Sequence, residues 1–183
     1  MNNKFNIKLF FRLLEFVKPY KPNFIFVTMF SLGRIGFIPG TFGSLATVIF
    51  LFFCFHILNI SPNIILLILI LAFAYSFIAI KNYTENNDNK DPGEIIIDEF
   101  IGQSIPIYLY EISHGTEKTF DQAIIVYFTC FILFRFFDIV KPFPVSYFDQ
   151  KHKNSFGVVM DDVCAGFYVV LLLICFMVLK SFI

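Results

Sequence analysis

Five acidic residues stand at the ends of apolar segments, where a charge is expensive. Asp98 and Glu99 open one such segment, Asp138 closes another three residues after Arg135, and Asp161 with Asp162 open a third. A carboxylate at mid-bilayer costs about 2.5 to 3.5 kcal/mol on insertion scales, and less near the interface, so these groups need neutralising partners. A divalent cation is such a partner. Five carboxylates with no His or Cys at ligand spacing describe a hard oxygen site of the kind Mg²⁺ prefers, completed by water and phosphate oxygens. Arg135 and Asp138 share a helix face, so the aspartate can hold a metal while Arg135 and Lys141 clamp a phosphate. Pro142 and Pro144 stop the helix there and fix Lys141 relative to Asp138.

The elements that must position these residues are hydrophobic. Of 183 residues 57% are apolar, Phe alone accounts for 28, and only 15% are charged, which defines an integral membrane protein. Basic and acidic residues balance at 14 each, so net charge gives no reason to expect nucleic acid. Cys54, Cys130, Cys164 and Cys175 lie in or beside apolar runs and read as small apolar residues. The chain is read as one domain, residues 1–183, of all-α class. It is a polytopic bundle of four to five hydrophobic helices behind an amphipathic N-terminal segment, residues 1–22, in which Lys4, Lys8 and Arg12 recur every four residues. That segment has no sustained apolar core or cleavage site and is not expected to be a cleaved signal peptide.

Residues 23–32 are apolar but too short to span, and the Gly-rich stretch 33–44 follows as a turn. Five spans are expected, at residues 45–60, 64–80, 94–112, 123–140 and 163–179, the third carrying Asp98 and Glu99 and interrupted by Pro106. Thr119 with Gln122 predicts a capping box opening the fourth. The residues from Lys141 to Asp161 read as a polar loop. If all five segments cross from a cytoplasmic N-terminus, only Lys118 and Lys180 of the 14 basic residues fall outside. Omitting the third would scatter them across both sides, so the positive-inside rule favours five. Every acidic pair, Arg135 and the Gly-rich loop then meet on the cytoplasmic face. Asp98 precedes Gly102 by four residues and Asp161 precedes Ala165 by four, with Gly166 beside it, small residues that let two helices approach closely.

Other readings of the same residues exist. Acidic pairs at helix starts complement the helix dipole. In "PGTFGS", Thr41 and Ser44 can serve as helix caps, or the stretch can offer its N–H groups to a phosphate. A cation transporter could use the same carboxylates, but would need a polar path past mid-membrane. Beyond Gly102 and Gly166 the segments offer mostly Ile, Phe, Leu and Tyr, with Gln103, Ser104 and Thr129 as exceptions.

A site for Mg²⁺ and phosphate in a membrane bundle suggests phosphoryl chemistry on a lipid headgroup. Familiar phosphoryl-transfer signatures are missing: there is no P-loop or D-x-D motif, and only four residues separate Cys130 from Arg135 where a cysteine phosphatase loop has five. The stretches "PGTFGSL", "IIIDEFIGQ", "FRFFDIVKPFPV" and "GVVMDDVCAG" resemble, in order and spacing, those of the phosphatidylglycerophosphatase A family. The chain departs from that pattern at Gly36 and Ile38, where a proline and a small residue are expected. The resemblance implies a Mg²⁺-dependent enzyme of the bacterial inner membrane that removes the terminal phosphate of phosphatidylglycerophosphate, in phosphatidylglycerol synthesis. It implies Asp98, Glu99, Asp138, Asp161 and Asp162 as the acidic site, the first three and Asp162 as metal ligands. Thr41, Ser44, Arg135 and Lys141 would lie near the phosphate. Attack by a metal-activated water with an acidic residue as base is the expected route, and a covalent aspartyl phosphate the alternative.

Overall fold

A computed structural model describes residues 22–35, 37–85, 89, 91–114, 119–152 and 154–182. The amphipathic segment read at the N-terminus lies outside the described residues, apart from Pro22. Seven α-helices and no strand occur among those described: α1 (Pro22–Val27), α2 (Pro39–Phe52), α3 (Pro62–Thr84), α4 (Ile97–His114), α5 (Phe120–Val140), α6 (Val145–Lys151) and α7 (Ser155–Ser181). A single π turn, Phe53–Ile57, extends α2. Among the described residues, four stretches are long and apolar enough to cross a membrane: Pro39–Ile57, Pro62–Thr84, Phe120–Val140 and Ser155–Ser181.

The third predicted segment, α4, differs in kind. Asp98, Glu99 and Glu111 make it too polar to pass as a lipid-facing span, and it is instead the central helix, packed against α2, α3, α5 and α7. Connectivity still makes it run the depth of the bundle. At one end Gly40 of α2 abuts Glu99, and Tyr83 near the end of α3 hydrogen-bonds Glu94 just before α4. At the other end His56 lies 3.2 Å from Glu111, and Phe52 meets Phe120, the first residue of α5, edge-on. Since α3 ends at one pole and α5 starts at the other, the chain between must cross. Its 18 residues rise about 27 Å, close to the ~30 Å hydrocarbon thickness.

Pro106 does not interrupt α4, contrary to the sequence expectation. A proline cannot donate to the carbonyl four residues earlier, here Gly102. That carbonyl faces α7: a Cβ added to Gly166 would lie 2.4 Å from the Gly102 oxygen, and one added to Gly102 would lie 2.5 Å from the Asp162 oxygen. The two glycines therefore allow backbone contact between α4 and α7, as the small-residue spacing predicts.

Two helix starts also differ from expectation. Helix α2 begins at Pro39, not Leu45, because proline at the first position has its φ preset for a helix and lacks only an N–H that would be unbonded anyway. Helix α7 begins at Ser155, where the Asn154 side chain accepts from the N–H groups of Phe156 and Gly157. The expected polar loop from Lys141 to Asp161 thus contains α6 and the first turns of α7. The Thr119–Gln122 capping box is formed as predicted.

Candidate active site

The touching backbones of α4 and α7 bring their carboxylates together. Oxygens of Asp98, Glu99 and Asp162 lie within 4.8 Å of one another, with Asp98 and Asp162 buried and Glu99 partly so. Asp161 and Asp162 sit about two turns inside α7, so neither caps the helix nor lies where the dipole is strongest. Asp161 turns to the side: its Oδ1 accepts from the Asp162 N–H (2.9 Å) and its Oδ2 pairs with Lys141 (3.0 Å).

Helices α2 and α5 close the other side. A Cβ on Gly40 would fall 2.2 Å from Glu99 Oε1 and 3.0 Å from Arg135 Nη1, so the absence of a side chain lets both charged groups reach the start of α2. Arg135 Nη1 is 2.6 Å from Asp138 Oδ2. Asp138 is therefore engaged with Arg135 and stands outside the three-carboxylate group, although its charge is felt at Glu99 and Asp162. Neither Thr41 nor Ser44 caps α2: the N-cap residue is Ile38, and the Ser44 hydroxyl, fully buried, donates to Gly40 O. Thr41 is half-buried in the first turn.

Lys141, the left-handed C-cap of α5, bridges Asp149 of α6 (2.5 Å) and Asp161 of α7 (3.0 Å). Burial works against its charge, but the two carboxylates outweigh it and hold its pKa above the usual lysine range. Asp91, in the loop before α4, feels Lys141, Asp149 and Asp138. Loss of hydration pushes its carboxyl above the usual range, Lys141 opposing. Arg34 is away from this cluster, paired with Glu94 at 3.5 Å.

Unmet hydrogen-bonding capacity marks the centre. Among the described residues, the buried side-chain atoms without a hydrogen-bond partner are Asp98 Oδ1, Glu99 Oε2, Arg135 Nε and both amide atoms of Gln103, while Arg135 Nη1 has only its ion pair with Asp138. Leaving such atoms unpaired costs about 1 to 3 kcal/mol each, more when charged. Gln103, which the sequence singles out only as a polar exception in an apolar segment, is fully buried one turn below Glu99 on the same face of α4. Gly40 in a Gly-rich stretch, and Asp91 and Asp149 in polar stretches, carry no local signal of the contacts they make. Acidic oxygens paired with guanidinium donors can take up a cation and an anion side by side. The orphaned Asp98 and Glu99 oxygens and the hard donor set fit a divalent cation of the Mg²⁺ type.

Carboxylates and an arginine drawn together at one end of a bundle of membrane helices make a membrane-embedded candidate active site. The sequence profile of the phosphatidylglycerophosphatase A family matches residues 25–177, and the chain belongs to that family, a family of phosphatases. It is 35% identical over 158 residues to phosphatidylglycerophosphatase A of Haemophilus influenzae, covering 86% of this chain and 90% of the relative. It is 26% identical over 151 residues to the Escherichia coli protein of the same name, covering 82% and 80%. A Bacteroides thetaiotaomicron protein named as a candidate phosphatidylinositol-3-phosphatase is 32% identical over 152 residues, covering 81% and 91%. No solved structure matches the chain.

Proposed function

We propose that the protein hydrolyses the terminal phosphate monoester of phosphatidylglycerophosphate, giving phosphatidylglycerol and inorganic phosphate, in a Mg²⁺-dependent reaction at the cytoplasmic face of a bacterial inner membrane. The observation that carries this reading is the convergence of unpartnered carboxylate and guanidinium atoms at one end of the bundle, in a chain of this family. A phosphate monoester bound to a cation meets both needs at once. Asp98, Glu99 and Asp162 would hold the cation, which supplies Lewis-acid neutralisation of the phosphoryl oxygens and acidifies water.

Every other role falls to the chain itself. Arg135 presents Nε as a free donor for a phosphate oxygen, and Asp138, paired with Nη1, keeps the guanidinium from swinging away. The bare Cα of Gly40 lets Glu99 and Arg135 come together at the start of α2. Glu99, with one oxygen unpartnered, is placed to accept the proton of an attacking water. Lys141, paired with Asp149 and Asp161, is assigned the role of holding α6 and α7 together beside the site. The contact of Gly102 with Gly166 directly behind the carboxylates favours a site that ends there over a transport path.

Orientation is supported by charge. Arg34, Lys81, Arg135, Lys141 and Lys151 lie at the end of the bundle that holds the carboxylates, and Lys180 at the other, the bias expected when that end faces the cytoplasm. The test is phosphate release from phosphatidylglycerophosphate by purified protein with Mg²⁺, with EDTA, and for Asp98→Asn. Release that persists in EDTA or in the variant would refute the reading, and cation flux into liposomes without release would favour transport.

A further inference from the structure

The site has an apolar continuation. Between α2 and α5 runs an open groove of about 300 Å³, lined on one side by Leu45, Ile49 and Phe53 and on the other by Ile124, Phe128 and Phe131. Its position follows from helix periodicity. Leu45 and Ile49 stand four and eight residues after Thr41, and Phe131 stands four before Arg135, so the groove prolongs the helix faces that carry those two residues. Where the two helices converge at the site end, Arg135 Nη1 lies against Gly40.

The ring of Tyr127, fully buried, forms the floor with Phe52, edge-on at 5.4 Å between centroids. The Tyr127 hydroxyl is turned away from the groove to donate to Glu111 (3.1 Å), which also meets His56. From Leu45 to Phe53 the helix rises about 12 Å, most of one leaflet of a ~30 Å hydrocarbon core.

We propose that this groove seats one acyl chain of the phospholipid substrate while its phosphate lies between Arg135 and the carboxylates, an inference that rests on the phosphatase reading of that site. A lipid monoester must keep its chains in the bilayer while its headgroup reaches Arg135, and the groove is an apolar path that leads there from the lipid side. Lipid tails are as apolar as the lining, so seating a chain contributes little hydrophobic free energy. Its effect is to orient the glycerol and the scissile phosphate, and it shows in turnover of long-chain substrate.

The chain has no tryptophan, so Phe128→Trp installs a single tryptophan on the groove, selectively excited at its red edge, and Leu71→Trp one on the exposed face of α3. In phosphatidylcholine vesicles, brominated-chain phosphatidylglycerophosphate at low mole fraction, read before appreciable hydrolysis, is expected to quench Phe128→Trp severalfold more than brominated phosphatidylcholine at the same fraction. Leu71→Trp should not distinguish the two. In turnover, Ile49→Trp, which narrows the groove at an exposed position, is expected to lower kcat on long-chain substrate about tenfold and to affect a water-soluble dihexanoyl substrate severalfold less. Equal quenching of Phe128→Trp by both lipids would mean bulk lipid fills the groove. Shielding from both would mean a second copy covers it. Either result, or an Ile49→Trp effect that is absent or equal on both substrates, overturns the proposal. Wild-type protein that releases no phosphate from either substrate refutes the phosphatase reading instead, and the quenching comparison then decides the groove alone.

Discussion

Arg135 and Asp138, one turn apart on α5, form an ion pair of 2.6 Å that points the guanidinium at Gly40 and Glu99. The sequence reading made Asp138 a metal ligand; the ion pair supports a second role, that of orienting Arg135. These roles separate experimentally. Arg135→Lys loses the planar two-donor geometry and is expected to reduce kcat/KM about a hundredfold. If Asp138 acts through Arg135, Asp138→Asn in that background adds little, and the cation concentration for half-maximal activity is unchanged. Additive losses with a raised cation requirement would return Asp138 to the metal.

Gly40 and Gly166 both admit close contacts, but of different kinds. Gly40→Ala sets a methyl group 2.2 Å from a carboxylate oxygen, so the Glu99 side chain must move. Activity should fall about a hundredfold while thermal stability in detergent stays near wild type. Gly166→Ala drives a methyl group into the Gly102 carbonyl, which is backbone and cannot yield cheaply. Both activity and stability should fall, the latter by about 1 to 3 kcal/mol. Thermal melts beside kcat distinguish the two.

Much of this arrangement was legible in the sequence for a physical reason. Apolar runs, the Thr119–Gln122 cap and acidic residues in apolar surroundings are strong local signals, and they locate the helices and the carboxylates. What escaped depends on which side chains meet. Nothing local shows that Lys141 turns to Asp149 and Asp161, that Ser44 bonds back to Gly40 O, or that α4 is sheathed by its neighbours. Helix starts were misplaced where Pro39 and Asn154 begin a helix inside a polar or Gly-rich stretch, because hydropathy reports burial and not hydrogen bonding.

Gln103 offers a test of function against stability. A fully buried amide with both atoms unpartnered destabilises the fold, so Gln103→Leu should raise the melting temperature or leave it unchanged. If the amide serves the reacting groups above it, kcat falls about tenfold in the same variant. A variant that melts lower with kcat intact would make Gln103 a structural residue.

Lys141 ties α5 to α6 and α7 through two carboxylates, and its pKa is raised in the folded protein. A lysine raised on folding contributes stability that is fully present below its unfolded pKa of about 10.4 and is lost as pH rises through the folded value above it. The stability gap between wild type and Lys141→Met should therefore be constant from neutral pH to about 10 and narrow only beyond. Urea or thermal unfolding in detergent across that range measures it. A gap that closes near neutrality would mean another group governs the contact.

Three carboxylates with oxygens within 4.8 Å of one another repel unless a cation or protons intervene. A bound divalent cation should consequently stabilise the fold as well as support turnover. At a hundred times its dissociation constant it adds about 2.7 kcal/mol, visible as a higher melting temperature. Mg²⁺ is expected to raise the melting temperature of wild type and EDTA to lower it. Asp98→Asn and Asp162→Asn remove a charge from the cluster, so each should lose the Mg²⁺ shift while melting no lower than metal-free wild type. A Mg²⁺ shift undiminished in both variants would show that the cation binds elsewhere, and with it the chemistry assigned to this end of the bundle would have to move.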